Sequence, residues 1–181
     1  MRNELCVDIV KVLVIKWGVT LDISKQGLID KIDAVFPSVE MPPLKDFLFH
    51  ENDGERYAGL LSDIDEFRGG SITGDAVRII HKDMSKLSAK AWCWIFPHYL
   101  KYCLTPEAEF NRMETEFLIY ALSPSPEFSQ ETFQRLSEFN NDQVNCVIDF
   151  LNLCLGYEYW KELYAGDIDH AINFLKSYCQ K

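Results

Sequence analysis

The sequence predicts an all-α fold, a single-domain helical bundle or irregular array of about seven to nine helices. Three observations carry that reading. Apolar residues recur at spacings of three and four through most of the chain. Helix start and stop residues punctuate these runs, with Ser, Thr or Asn ahead of them and Gly or Pro behind. The segment Trp92–Leu104 has five aromatic residues among thirteen and a single charge, Lys101, so it needs neighbours on several sides to cover it. Burying each large side chain contributes roughly 1.5–3 kcal/mol. At 181 residues the chain reads as one domain spanning 1–181, with residues 1–20 a candidate N-terminal helical appendage.

The first segment, Leu5–Trp17, carries two patterns. Glu4, Asp8 and Lys11 fall at helical spacing and leave the opposite face apolar, whereas Val7, Val10, Val12, Val14 and Ile15 are β-branched and favour a strand. The run exceeds usual strand length, which decides for a helix ending at Gly18. A second helix starts at Asp22 or Ser24, buries Leu28, Ile32 and Val35, and stops at Phe36 before Pro37. Pro42-Pro43 stiffens the connection that follows, and Phe47–Arg56 reads as a polar loop. Ala58–Phe67 is a short helix closed by Gly69-Gly70. From Thr73 a further helix offers Ala76, Val77, Ile80 and Met84 to the core.

Ser88 is the N-cap of the central segment. Pro97 inside it removes a hydrogen bond and clashes with the carbonyl of Cys93 at a cost of about 3 kcal/mol. Either one helix kinks there or two helices meet, and the sequence leaves both open. Thr105-Pro106-Glu107 combines a hydroxyl cap, Pro at the first helical position and an early carboxylate. The helix it starts is expected to reach Leu122 and bury Phe110, Met113, Phe117, Tyr120 and Ala121, with Glu107 and Glu114 flanking one side of that stripe and Glu109 and Glu116 the other. Ser123–Pro126 stops it, and Phe128–Phe139 reads as loosely structured. Asn140 and Gln143 form a capping box, with Phe139 and Val144 as a hydrophobic staple. The helix behind them buries Val144, Val147, Ile148, Leu151 and Leu155, and Gly156 ends or weakens it. A last helix, placed after Gly166, buries Ile168, Ala171, Ile172, Leu175 and Cys179. No internal repeat is visible.

Several function classes are disfavoured by composition. The longest uncharged apolar run, Ala91–Leu100, has ten residues and falls short of a membrane helix. Met1–Glu4 lacks the basic start of a signal peptide, so a cytoplasmic location is expected. Cys6, Cys93, Cys103, Cys146, Cys154 and Cys179 sit in apolar segments with no Cys-x-x-Cys spacing, the pattern of reduced core thiols. The net charge of −10 is uneven: residues 106–170 hold thirteen acidic side chains and only Arg112, Arg135 and Lys161 as bases. Such a field disfavours nucleic acid and anionic lipid and favours a basic protein.

Chemistry-bearing motifs are sparse. Cys93, His98 and Cys103 recur every five residues, which on a helix points them in three directions, and zinc pairs are closer in sequence. His50, Glu51, Asp53 and Glu55 match neither His-Glu-x-x-His nor a calcium loop, and Asp63, Asp65 and Glu66 read as a solvated cluster. His81 and His170 read as surface groups. Gly69-Gly70-Ser71-Ile72-Thr73-Gly74 follows no strand and reads as a turn, and no nucleotide loop or nucleophile motif occurs. No catalytic residue, metal or cofactor is expected.

Leu28–Pro37 with Pro42, Leu87–Trp92 with Phe96–Leu100, Phe117–Pro124, and Asp142-Gln143 through Phe150-Leu151 together resemble a family of small bacterial proteins of unknown function. The likeness covers about residues 22 to 155, with Phe96 where a Leu is usual before the proline. It implies a helical fold and a bacterial cytoplasm, and no activity. In size, acidity and helicity the chain is also loosely similar to bacterial immunity proteins, which neutralise a toxin by covering its active site.

Two functions are therefore expected. The first is an acidic protein-binding module, of immunity-protein type in its narrowest form, taking a basic partner through Glu107, Glu109, Glu114, Glu116, Glu127, Glu131, Glu138 and Asp142. The alternative is an enzyme or small-ligand-binding protein with a pocket beside Trp92–Leu104.

Overall fold

Side-chain caps set the helix boundaries most firmly, and each capping residue picked out above that lies in a described helix does its work. The computed structural model describes residues 24–50 and 53–180. The expected helix at Leu5–Trp17, the appendage at 1–20, Cys6, Asp22 and Glu51 lie outside them. Ser24 accepts from the Gly27 amide and opens α1 (Lys25–Val35). After a 3₁₀ turn at Leu44–Asp46 come α2 (Ala58–Asp65) and α3 (Gly74–Ile80), the latter continuing as 3₁₀ through His81–Lys86. Ser88 caps α4 (Ala89–Cys103), and Thr105 caps α5 (Pro106–Asn111) with Pro106 at its first position. Then follow α6 (Met113–Leu122), α7 (Ser129–Arg135), α8 (Asn141–Leu155) and α9 (Glu158–Tyr178). Both halves of the Asn140–Gln143 capping box are made. The described residues form nine α-helices and no strand, so the predicted fold class holds.

The core is built round α4, which packs on α1, α3, α5 and α7. Phe96 is fully buried, with its ring 5.1 Å from Phe139, 5.3 Å from Trp92 and 6.3 Å from Phe36. Edge and offset contacts of this kind add about 0.5–1.5 kcal/mol each beyond area burial. Two buried polar tips fix the rotation of α4. Trp92 Nε1 donates to the Met84 carbonyl at 2.7 Å, and the Tyr99 hydroxyl donates to the Glu114 carbonyl at 2.9 Å. Pro97 lies inside one continuous helix, which resolves the ambiguity at that position. α8 and α9 pack on each other, and α1 covers the other side of α8.

Four expectations are corrected. Phe47 and Leu48, assigned to a polar loop, are buried, and Leu48 forms an isolated antiparallel bridge with Leu87 through Phe49 N to Lys86 O and Ser88 N to Phe47 O. Residues 129–135, read as loosely structured, form α7, because Thr132 and Arg135 turn inward at helical spacing. Gly166 does not precede the last helix but lies within α9, where solvent surrounds the position a side chain would take. Residues 106–122 are two helices, and the stripe expected to be buried is largely outside.

Candidate functional site

The break between α5 and α6 determines what this part of the molecule presents. Arg112 ends one helix and begins the next with φ of 62°, a left-handed conformation that costs a side-chain-bearing residue about 1–2 kcal/mol. Its guanidinium lies 3.8 Å from the centroid of the Tyr159 ring on α9, a cation–π contact that offsets part of that cost. With the helix restarted, Leu118, Ile119 and Leu122 face the core together with Glu114 and Thr115. Met113, Phe117 and Tyr120 then fall on the outer face at i, i+4 and i+7, exposed by 50%, 37% and 49%, and Phe110 at the corner is 87% exposed. The Tyr120 ring meets Tyr164 of α9 at 6.1 Å, and burial first, then Glu116, push the Tyr164 phenol up. Desolvation first, then the charges of Glu116 and Asp167, hold the Tyr120 phenol above its ordinary range, which places both carboxylates beside the stripe. The surface is an apolar stripe edged by negative charge.

The eight carboxylates expected to form one partner surface are not gathered on it. Glu114 is corrected outright: it is buried, with Oε1 3.8 Å from Arg78 Nε and Oε2 unpartnered among the described residues, so no partner reaches it. Glu107 also pairs with Arg78, Glu109 with Lys25, and Glu131 with Arg135. Glu127, Glu138 and Asp142 are exposed, but Glu138 lies near Cys93 and Tyr178, away from the α6 stripe. The concentration of acid in residues 106–170 thus has a structural reason in part, because bases from earlier in the chain are folded against it. Sequence reading missed Asp167, which no local pattern ties to Tyr120.

Two of the clefts that border the central helix are large enough for a small molecule. One, of about 600 Å³, lies between residues 38–41, the Phe67–Ile72 turn, and Trp94 and His98 of α4. Its arginine is already engaged, Arg68 with Asp65 at 2.6 Å, while burial and the nearby Lys101 keep the His98 imidazole below its usual range. The other, of about 400 Å³, lies at the α6–α7 turn. Burial pushes the thiols of Cys146 and Cys154 up to about 11 and about 12, and that of Cys103 higher still. Among the described residues no three His, Cys, Asp or Glu side chains stand close enough to share a metal ion, and no helix is long and apolar enough to cross a membrane. No protein family, curated protein or solved structure matches this chain.

Proposed function

We propose that this chain is a protein-binding module whose α6–α9 face takes a basic partner. The observation that carries the reading is the outward stripe Met113, Phe117 and Tyr120 beside Glu116 and Asp167. A helix apolar on both faces is normally enclosed, and α6 is enclosed on one side only. A contiguous exposed apolar patch with a charged rim is the anatomy of an interaction surface. The rim is negative, so the complementary partner presents Lys or Arg, whose guanidinium or ammonium also stacks on tyrosine. In its narrowest form the proposal is that the partner is a basic toxin, neutralised by occlusion as immunity proteins do in a bacterial cytoplasm. The size, acidity and helicity of the chain support that form.

The test uses a photo-crosslinking side chain at Phe110 to trap the partner in the native cell, followed by kinetics with the purified partner. Glu116→Lys combined with Asp167→Lys is expected to slow association at least tenfold, and salt to do the same as the screening length falls to about 8 Å. Phe117→Ser with Tyr120→Ser is expected to speed dissociation. A partner without a basic surface, or association indifferent to salt and to the charge reversals, rejects the proposal.

A further inference from the structure

Arg135, the last residue of α7, is buried with fewer partners than a guanidinium needs. Its side chain is 6% exposed; Nη2 donates to Glu131 Oε2 at 2.9 Å, and the cation lies 4.4 Å from the centroid of the Phe49 ring. Nε has no hydrogen-bond partner among the described residues. An unsatisfied buried donor on a charged group is costly, and buried polar groups are satisfied in the great majority of cases, so the missing acceptor calls for an explanation. Burial also presses the guanidinium below its ordinary range, with Glu131 opposing.

The same residue lines the 400 Å³ cleft at the α6–α7 turn, a size within the ~300–1,000 Å³ typical of small-molecule sites. Around it stand Lys86, Thr132 and the hydroxyls of Ser123 and Ser125, which can donate, and the apolar surfaces of Trp92, Pro124 and Phe128. Phe128 is 53% exposed and leaves one face of its ring open to an apolar body. Charge decides the kind of anion. Arg135 and Lys86 against Glu131 leave one positive charge on the lining. One carboxylate balances it, whereas a phosphate dianion leaves a negative charge facing Glu131. The 600 Å³ cleft has no comparable group, since its arginine is already paired.

We propose that the cleft at the α6–α7 turn binds a small organic carboxylate, its anionic group pairing with Arg135 and Lys86 and its apolar body lying against Trp92, Pro124 and Phe128. The cleft adjoins the partner-binding stripe at Tyr120, which lines both, but the carboxylate site rests on Arg135 and not on that reading.

Benzoate and octanoate, titrated into the ¹⁵N-labelled full chain, are the probes, with benzamide as the uncharged control and inorganic phosphate as the competing anion. The Arg135 Nε–H and Trp92 indole N–H resonances report binding. At least one of the two carboxylates is expected to shift both resonances saturably and to bind at least tenfold tighter than benzamide and tighter than phosphate. Lys86→Met is expected to weaken that carboxylate severalfold. Arg135→Gln abolishes the preference over benzamide, read at Trp92, but it also gives up the Glu131 pair and the Phe49 contact. Ser125→Trp is therefore the decisive variant: it fills the mouth, leaves Arg135 in place, and is expected to remove binding. Absence of a saturable shift with both carboxylates, benzamide binding equally well, phosphate binding tighter, or binding that survives Ser125→Trp overturns the proposal.

Discussion

α4 and α6 are both apolar nearly all round, yet one is enclosed and the other is not. Trp92, Ile95, Phe96, Tyr99 and Leu100 leave α4 almost no contact with water. On α6, Leu118, Ile119 and Leu122 are equally buried while Met113, Phe117 and Tyr120 on the opposite face are exposed. The difference comes from the neighbours and not from the segments. α4 has four helices round it, whereas α6 has α9 and the short α5 beside it and the 3₁₀ segment beneath. An apolar sequence states a demand for burial; only the arrangement shows whether this chain meets it or leaves it to another molecule.

The contrast can be broken most sharply in the core. Phe96→Ala removes a fully buried ring in contact with Trp92, Phe36 and Phe139, and is expected to cost about 3–5 kcal/mol by urea denaturation. A cost under about 1 kcal/mol would mean that α4 is not the interior it is taken for.

Titration supplies a second handle. Burial, reinforced by the charges of Cys103 and Glu114, holds the Tyr99 phenol far above its ordinary value of 10.0, and burial does the same to the Cys103 thiol above 9.0. Groups raised on folding add stability that is complete below their unfolded values and is lost as pH rises towards the folded ones. Stability is therefore expected to fall as pH climbs through about 9 to 10 and beyond, in an absorbance-monitored unfolding series. A stability flat across that range would mean that these groups are wetter than described.

A smaller effect tests how α3 meets α4. A Cβ on Gly74 would lie 2.6 Å from the ring of Tyr102, whose hydroxyl accepts a hydrogen bond from Arg78 Nε at 2.9 Å. Gly74→Ala is expected to cost about 1–3 kcal/mol through this overpacking, and a stabilising result would show that the ring can move aside freely. Gly166 on α9 meets nothing, so Gly166→Ala is expected to stabilise by about 0.5–1 kcal/mol through helix propensity alone. The smallest change sharpens the opposite pole: Phe110→Ala, at 87% exposure, is expected to leave folding within about 0.5 kcal/mol while weakening the basic partner. A large loss of stability there would place Phe110 in the core after all.

The parts of the fold legible in the sequence were those fixed over three or four residues. Ser88, Thr105-Pro106 and Asn140 with Gln143 announce helix starts because cap and amide are sequence neighbours. The α5–α6 break was not legible, since a left-handed Arg carries no glycine signal and its compensation, the Tyr159 ring, is 47 residues on. Nor could sequence say which side of α6 faces inward, because both sides are apolar. The candidate site suffered most. Carboxylates grouped along the chain looked like a shared surface, but Lys25, Lys31 and Arg78 reach Glu109, Asp149 and Glu107 across long separations. The burial of Arg135 was equally out of reach, since its neighbour Phe49 is 86 residues earlier in the chain.

Pro97 in the middle of α4 has a consequence for the order in which the molecule assembles. An interior proline costs about 3 kcal/mol, so the segment 89–103 cannot hold a continuous helix on its own, and only the surrounding core makes one. α8 and α9, joined through Gly156 and Tyr157 and packed on each other, need no distant help to meet. The α8–α9 hairpin is thus the natural folding nucleus, and α4 consolidates after it. Leu151→Ala should slow folding, whereas Phe96→Ala should leave the folding rate nearly unchanged and speed unfolding, a difference that stopped-flow chevrons resolve. On that order the burial round α4 follows the hairpin, and the contacts of Phe96 bear on the unfolding rate more than on the folding rate.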